Sequence, residues 1–188
     1  MPSSDHPKAQ LLQQLQPVFV QRGYDGATLA HLAAATGLSK ATLYHHFPGG
    51  KADMLDQLVR LSISDMQARC FAHLNSRNPP LQRVRNFIKG FVDYTQAGKT
   101  DCLLAVLSHH QANDDTLATH QESIAQQFQD WHSVLARTFA EHGYKEKRAN
   151  REARQLLAAL YGALVSTRLH NDPKVFATLT SRLMKNYA

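Results

Sequence analysis

Apolar residues in this 188-residue chain recur every three or four positions and nowhere alternate, so its regular structure has to be helical. In LQRVRNFIKGFVDYTQ they fall at Leu81, Val84, Phe87, Ile88, Phe91 and Val92. In RQLLAALYGALVSTRL they fall at Leu156, Leu157, Leu160, Tyr161, Leu164 and Val165. Each set lines one side of an amphipathic helix. Turn-forming residues cut the pattern at Gly23 to Gly26, Gly37, 48–50 (PGG), 77–80 (RNPP), Gly98, Asn113 to Asp115, Gly143 and 171–173 (NDP). About nine helices and no strand are expected, short before Pro48 and long after Lys51. The fold class is therefore all-α, with a compact three-helix head joined to a larger helical body through a helix that starts near Lys51. Nothing in the sequence breaks that joining helix before Asn75. Pro17 removes a backbone donor inside the first helix and should bend or divide it.

The head carries the chemistry. Thr28 and Ser39 are placed to cap two successive helices, and Gly37 suits the left-handed position that ends the first. Leu29, Leu32 and Ala33 face that helix inward, and Leu43 and Phe47, four apart, anchor the second. The result is a helix-turn-helix whose second helix exposes Lys40, Ala41, Thr42, Tyr44, His45 and His46. Hydroxyls, imidazoles and an ammonium on one short face are the groups that read base edges and hold phosphates. Lys51 opens the following helix, where the dipole disfavours a cation by about 0.3–1 kcal/mol. A docked phosphate would remove that conflict; a local offset by Asp53 is the other reading.

Residues from about 8 to 60 resemble the DNA-binding head of TetR-family transcriptional regulators. The resemblance is carried by Phe19, Gly23, Tyr24, Thr28, Leu32-Ala33, Gly37, Leu38, Ser39, Thr42-Leu43-Tyr44, His46-Phe47, Lys51 and Leu55, in that order. It implies a homodimeric repressor: residues 1–50 form the DNA-binding domain and 51–188 a body that binds a small-molecule effector and dimerises. By position, Thr28, Ser39, Lys40, Thr42, Tyr44, His45, His46 and Lys51 become the expected contacts to a double-stranded DNA operator. Thr42 and His45 fall to bases, and Tyr44, His46 and Lys51 to phosphates. The pattern departs from the family at PGG, which puts three residues between Phe47 and Lys51 where two are usual. Implied to lie among the body helices, the effector cavity would draw on Met66, Phe87, Phe91, Tyr94, Cys102, His110, Phe128 and Trp131. Gln111, His110 and Gln127 either orient the effector or face water. The helix Arg151–Leu169, with Ala158 and Gly162 four apart, and the helix after it are the expected dimer interface.

Other function classes find little support. The chain has no GxSxG, P-loop, GxGxxG or HExxH pattern, so no enzyme and no cofactor are expected. No metal site is expected either: neither HxxxH nor CxxC spacing occurs among its 11 histidines and two cysteines. Cys70 and Cys102 are far apart and suit a reducing compartment, Cys102 being either an inert buried thiol or a redox sensor. The start, MPSSDHPKAQ, lacks the apolar stretch of a signal peptide, and no apolar run approaches the ~18 residues of a membrane span. A cytoplasmic protein with no membrane partner is expected. Net charge is +6, but residues 1–60 hold five Lys/Arg against four Asp/Glu and the remainder sixteen against eleven. The positive excess thus sits mainly outside the head, and local placement has to carry the nucleic-acid reading. The rival reading is a helical small-molecule carrier or interaction protein without sequence-specific DNA binding.

Overall fold

The structure is a computed structural model that describes residues 8–109 and 115–187. The helices are α1 (Lys8–Gly26), α2 (Leu29–Thr36), α3 (Lys40–His46), α4 (Gly50–Arg69), α5 (Pro80–Tyr94), α6 (Leu103–His109), α7 (Asp115–Glu141), α8 (Glu146–His170) and α9 (Pro173–Asn186). A single 3₁₀ turn, Phe71–Asn75, separates α4 from α5, and no strand occurs among the described residues. None of these helices is long and apolar enough to cross a membrane.

Two compact units emerge from the packing. The first contains the residues through Ser62 together with Cys102–Ile124; the second contains Ile63–Asp101 and the chain from Ala125 onward. Expectation followed chain order, with the body beginning at residue 51. The first compact unit gathers most of α4, all of α6 and the start of α7 with α1–α3. In the first unit Leu11, Leu15, Phe19, Leu32, Leu43, Phe47, Leu55 and Leu58 are fully buried. Each such side chain contributes roughly 1.5–3 kcal/mol of transfer free energy. His120 of α7 meets the Asp56–Arg60 ion pair of α4, and burial holds its imidazole below the ordinary range, with Asp56 opposing and Arg60 reinforcing the shift.

The second unit is built on rings. Phe71 stacks on Trp131 at 4.7 Å between centroids and tilts against Phe87 at 4.8 Å. Its buried cation, Arg83, donates from Nη1 to the Leu74 carbonyl at 2.8 Å and pairs through Nη2 with Glu141. At the end of α9, Tyr187 is buried against Phe139.

Two expectations need correction. α1 continues through Pro17, and its non-helical residue is Gly23, at φ 66° and ψ −176°. Pro17 is exposed, so the acceptor it leaves unpaired on the preceding turn can turn to water. The helix from Lys51 was expected to run to Asn75; it starts at Gly50 and stops at Arg69. A contact remote in sequence supplies the reason. Gly90 of α5 lies against the end of α4 so closely that a Cβ there would overlap the Arg69 carbonyl and sit 3.1 Å from the Cys70 Cα.

That contact is testable. Because the obstructing atoms are backbone, Gly90→Ala should lower unfolding stability in urea by about 1–3 kcal/mol or more. A change below about 0.5 kcal/mol, the size of an ordinary surface substitution, would mean that α5 does not approach α4 this closely.

Candidate nucleic-acid interface

The helix-turn-helix forms from local chemistry at each step. Thr28, in extended backbone, accepts the His31 N–H at 3.3 Å and caps α2. His31 returns a bond, its Nδ1 donating to the Gly26 carbonyl at 3.1 Å. Gly37 ends α2 in the left-handed region at φ 68°. Ser39 caps α3, accepting the Thr42 N–H at 3.1 Å and pairing hydroxyl to hydroxyl with Thr42 at 2.9 Å. Leu43 and Phe47 are both fully buried and fix the underside of α3.

What remains outward is a mainly polar face. Ser39, Lys40, Tyr44 and His45 are exposed, as is Thr28; Thr42 and His46 are half-buried. Tyr44, at 46% relative exposure, belongs to the few large apolar side chains left in solvent. The extra residue of PGG explains its pose. Gly50 adopts φ 64°, and a Cβ there would lie 3.1 Å from the Tyr44 ring edge, so the bare glycine lets the phenol lean over the turn. The His45 and His46 rings meet edge to face at 5.8 Å. Lys8, at the start of α1, reaches over the Phe47 ring at 5.2 Å and adds a cation beside the end of α3.

Lys51 has a partner within the same unit. Its ammonium donates to the Tyr24 carbonyl at 3.0 Å and lies 4.1 Å from the centre of the Tyr24 ring. It ties the start of α4 to the end of α1, and Asp53 hydrogen-bonds instead to Gln57 at 2.6 Å. An ammonium has three donors, so two remain for a phosphate. Tyr24, which holds this lysine, was read from the sequence only as part of the family pattern. No spacing rule pairs residues 27 apart.

The expected effector residues divide. Met66, Phe87, Phe91, Phe128 and Trp131 come together in the second unit. Phe91 meets Tyr161 edge to face at 5.3 Å, Phe128 tilts on Tyr161 at 5.4 Å and meets Trp131 at 5.2 Å. The Tyr161 hydroxyl points at the Met66 sulfur at 3.7 Å, and Trp131 Nε1 donates to the Gln67 side chain at 3.2 Å. Tyr94 is half-buried in the same unit. Cys102 is buried in the first unit. His110 and Gln111 lie outside the described residues. Sequence reasoning missed Phe71 and Tyr161 as members. Tyr161 carried a signal, being on the apolar stripe of α8; Phe71 follows the unforeseen end of α4. Among the described residues, no three His, Cys, Asp or Glu side chains gather as a metal site.

With this geometry in view, comparisons place the chain among known regulators. Residues 16–58 match the bacterial regulatory proteins of the tetR family, and residues 80–181 match the C-terminal domain of LmrA/YxaF-like transcriptional regulators. The chain is 21% identical to the HTH-type transcriptional regulator YxaF of Bacillus subtilis, over 92% of this chain and 90% of the relative. It is 22% identical to the HTH-type transcriptional regulator LmrA of the same organism, over 84% of each. A TetR-family regulator from Agrobacterium tumefaciens superposes with a TM-score of 0.78 at 21% identity, over 98% of both chains.

Two measurements test the interface. Lys51→Met should lower the stability of the DNA-free protein by about 1–2 kcal/mol, since it removes a charged hydrogen bond and a cation–π contact; an unchanged unfolding midpoint would show that the lysine does not tie α4 to α1. Thr42→Ala should relax sequence preference by about 1–3 kcal/mol, while Tyr44→Phe weakens specific and random DNA alike. Equal losses on both kinds of DNA for Thr42→Ala would remove Thr42 from base reading.

Proposed function

The chain belongs to the TetR family of bacterial transcriptional regulators, and from that premise we propose that it works as a homodimer whose two α3 helices read an operator and whose second unit takes a small-molecule effector. It is a ligand-responsive, sequence-specific DNA-binding repressor. The observation that carries the reading is the exposed face of α3, held out on the buried Leu43 and Phe47 and offering mainly hydrogen-bonding groups. In this reading Thr42 and His45 meet bases, and Lys40, Tyr44, His46 and the remaining donors of Lys51 meet phosphates. Thr28 and Ser39 support the contact from the two helix caps.

The large apolar side chains left in solvent support the dimer. Apart from Tyr44, those recorded among the described residues are Val165 and Leu169 of α8, at 53% and 81% exposure, and Leu179 of α9 at 37%. Ala158 and Gly162 are exposed along the same stripe of α8, and their small size lets a second helix come close. A pair of α8 and α9 helices from each protomer, packed as four, would bury this face. The effector, of unassigned chemistry, would enter beside Met66, Phe91 and Tyr161. Its influence would reach α3 through α4, an unbroken helix that begins next to the reading helix and ends beside Met66. Residues 1–50 then serve as the DNA-binding domain and 51–188 as the effector and dimer domain.

Full-length protein should shift a DNA fragment taken from upstream of its own gene in the presence of excess unrelated DNA. Absence of a specific shift in every ligand state would favour the carrier reading. For the dimer, Gly162→Glu is the sharper probe. A Cβ at Gly162 meets nothing within 4 Å, so the protomer tolerates it. A buried unpaired carboxylate would break a packed interface, so the variant should sediment as a folded monomer with operator affinity reduced about 100-fold or more. A variant that stays dimeric would place the interface elsewhere.

A further inference from the structure

Gln96 and Ala97 have φ values of 49° and 56°. That is the left-handed region, where a Cβ crowds the following carbonyl. Gly98 follows at 84°, so three successive residues turn the chain left-handed between α5 and α6. Asn171 also has a positive φ, of 48°, but it caps α8, where asparagine is well tolerated. Glutamine and alanine have no such compensation. Backbone of this kind persists only where its surroundings over-determine it, and it collects at switching segments.

Here the surroundings can be named, and all of them lie in the second unit. The Ala97 N–H donates to the Val92 carbonyl at 2.8 Å and the Gln96 N–H to the Asp93 carbonyl at 3.1 Å. Those two bonds make a Schellman cap, a motif that normally takes glycine where Gln96 stands. The Thr95 hydroxyl, buried, donates to the Phe91 carbonyl at 2.8 Å. Phe176 of α9 presses on Gly98, so that a Cβ there would lie 2.7 Å from its Cγ. Asp101, at the end of the turn, is paired with Arg168 of α8. After Asp101 the chain enters α6, and α6 packs against α1.

We propose that the turn from Thr95 to Asp101 is a strained switch, held left-handed by α8 and α9, whose release repositions α6 and through it α1 and the reading helix. The effect on DNA rests on the repressor reading; the strain and its release do not. The two helices that hold the turn are the ones that carry the exposed apolar face. Packing at that face therefore sets how firmly the turn is held, and one element joins assembly to DNA affinity.

Hydrogen exchange of the α6 amides in the full-length, DNA-free protein reads the switch directly. Gln96→Gly with Ala97→Gly keeps the left-handed turn and removes the crowding, so exchange in α6 should slow about fivefold or more. Arg168→Gln releases one hold and should speed exchange by a similar factor, and Asp101→Asn, breaking the same pair from its other side, should do likewise. Affinity for the upstream DNA fragment should then change in opposite directions for the glycine and the released variants. If the turn merely ends a helix, these variants move the thermal midpoint and leave α6 exchange as in the wild type, which overturns the proposal. Exchange that responds while DNA affinity does not would overturn the link to the reading helix. Wild-type protein that shifts no upstream fragment would instead count against the repressor reading, and α6 exchange would still decide the switch.

Discussion

A seven-residue helix cannot hold itself in water, because nucleation is costly and isolated helices shorter than about 12–15 residues are marginal. α3 is seven residues long, from Lys40 to His46. Its existence depends on the burial of Leu43 and Phe47 in the core of the first unit, with Ser39 satisfying its first free donor. All other features of the interface follow from that dependence. Because two residues suffice to anchor the helix, its other side is left free for a ligand. Because the anchor is the shared core of the first unit, a movement of α1 or α4 is a movement of the reading face. Lys51 tightens the arrangement by joining α4 to the Tyr24 carbonyl.

The second unit solves a different problem with the same means. In the proposed reading this unit accepts a small molecule, which needs apolar surface that can part, and rings in tilted and edge-to-face contact are adjustable surface of that kind. Phe91, Phe128, Trp131 and Tyr161 meet at 5.2–5.4 Å in this way, with Met66 as an adaptable neighbour. Charges confine the rest. Arg83 donates to the Leu74 carbonyl and pairs with Glu141, and Arg168 pairs with Asp101, so these cations tie the helical frame together.

Much of this was legible in the sequence, and the limits have physical causes. Local signals were read well: the Thr28 and Ser39 caps, the left-handed Gly37 and the three-and-four spacing of Leu55, Leu58, Ser62 and Met66, all four buried. They depend on residues within a turn or two of each other. What escaped depends on partners distant in sequence. α4 stops at Arg69, where Gly90 lies against it, and the Lys51 ammonium bonds the Tyr24 carbonyl. Pro17 drew attention as a helix breaker, yet on an exposed face it is accommodated and the irregularity falls at Gly23. The left-handed pair Gln96 and Ala97 was unreadable in principle. Neither residue favours that backbone; the Val92 and Asp93 carbonyls, Phe176 against Gly98 and the Arg168–Asp101 pair hold it there.

The central claim is that this fold presents two copies of α3 to one DNA duplex. Hydroxyl-radical footprinting of the full-length protein on the DNA upstream of its gene tests it most directly. Two α3 helices in successive major grooves should leave two protected patches on one face of the duplex, centred about 34–36 Å or a multiple of that apart. Protection confined to a single patch, or spread evenly along the fragment, would contradict it.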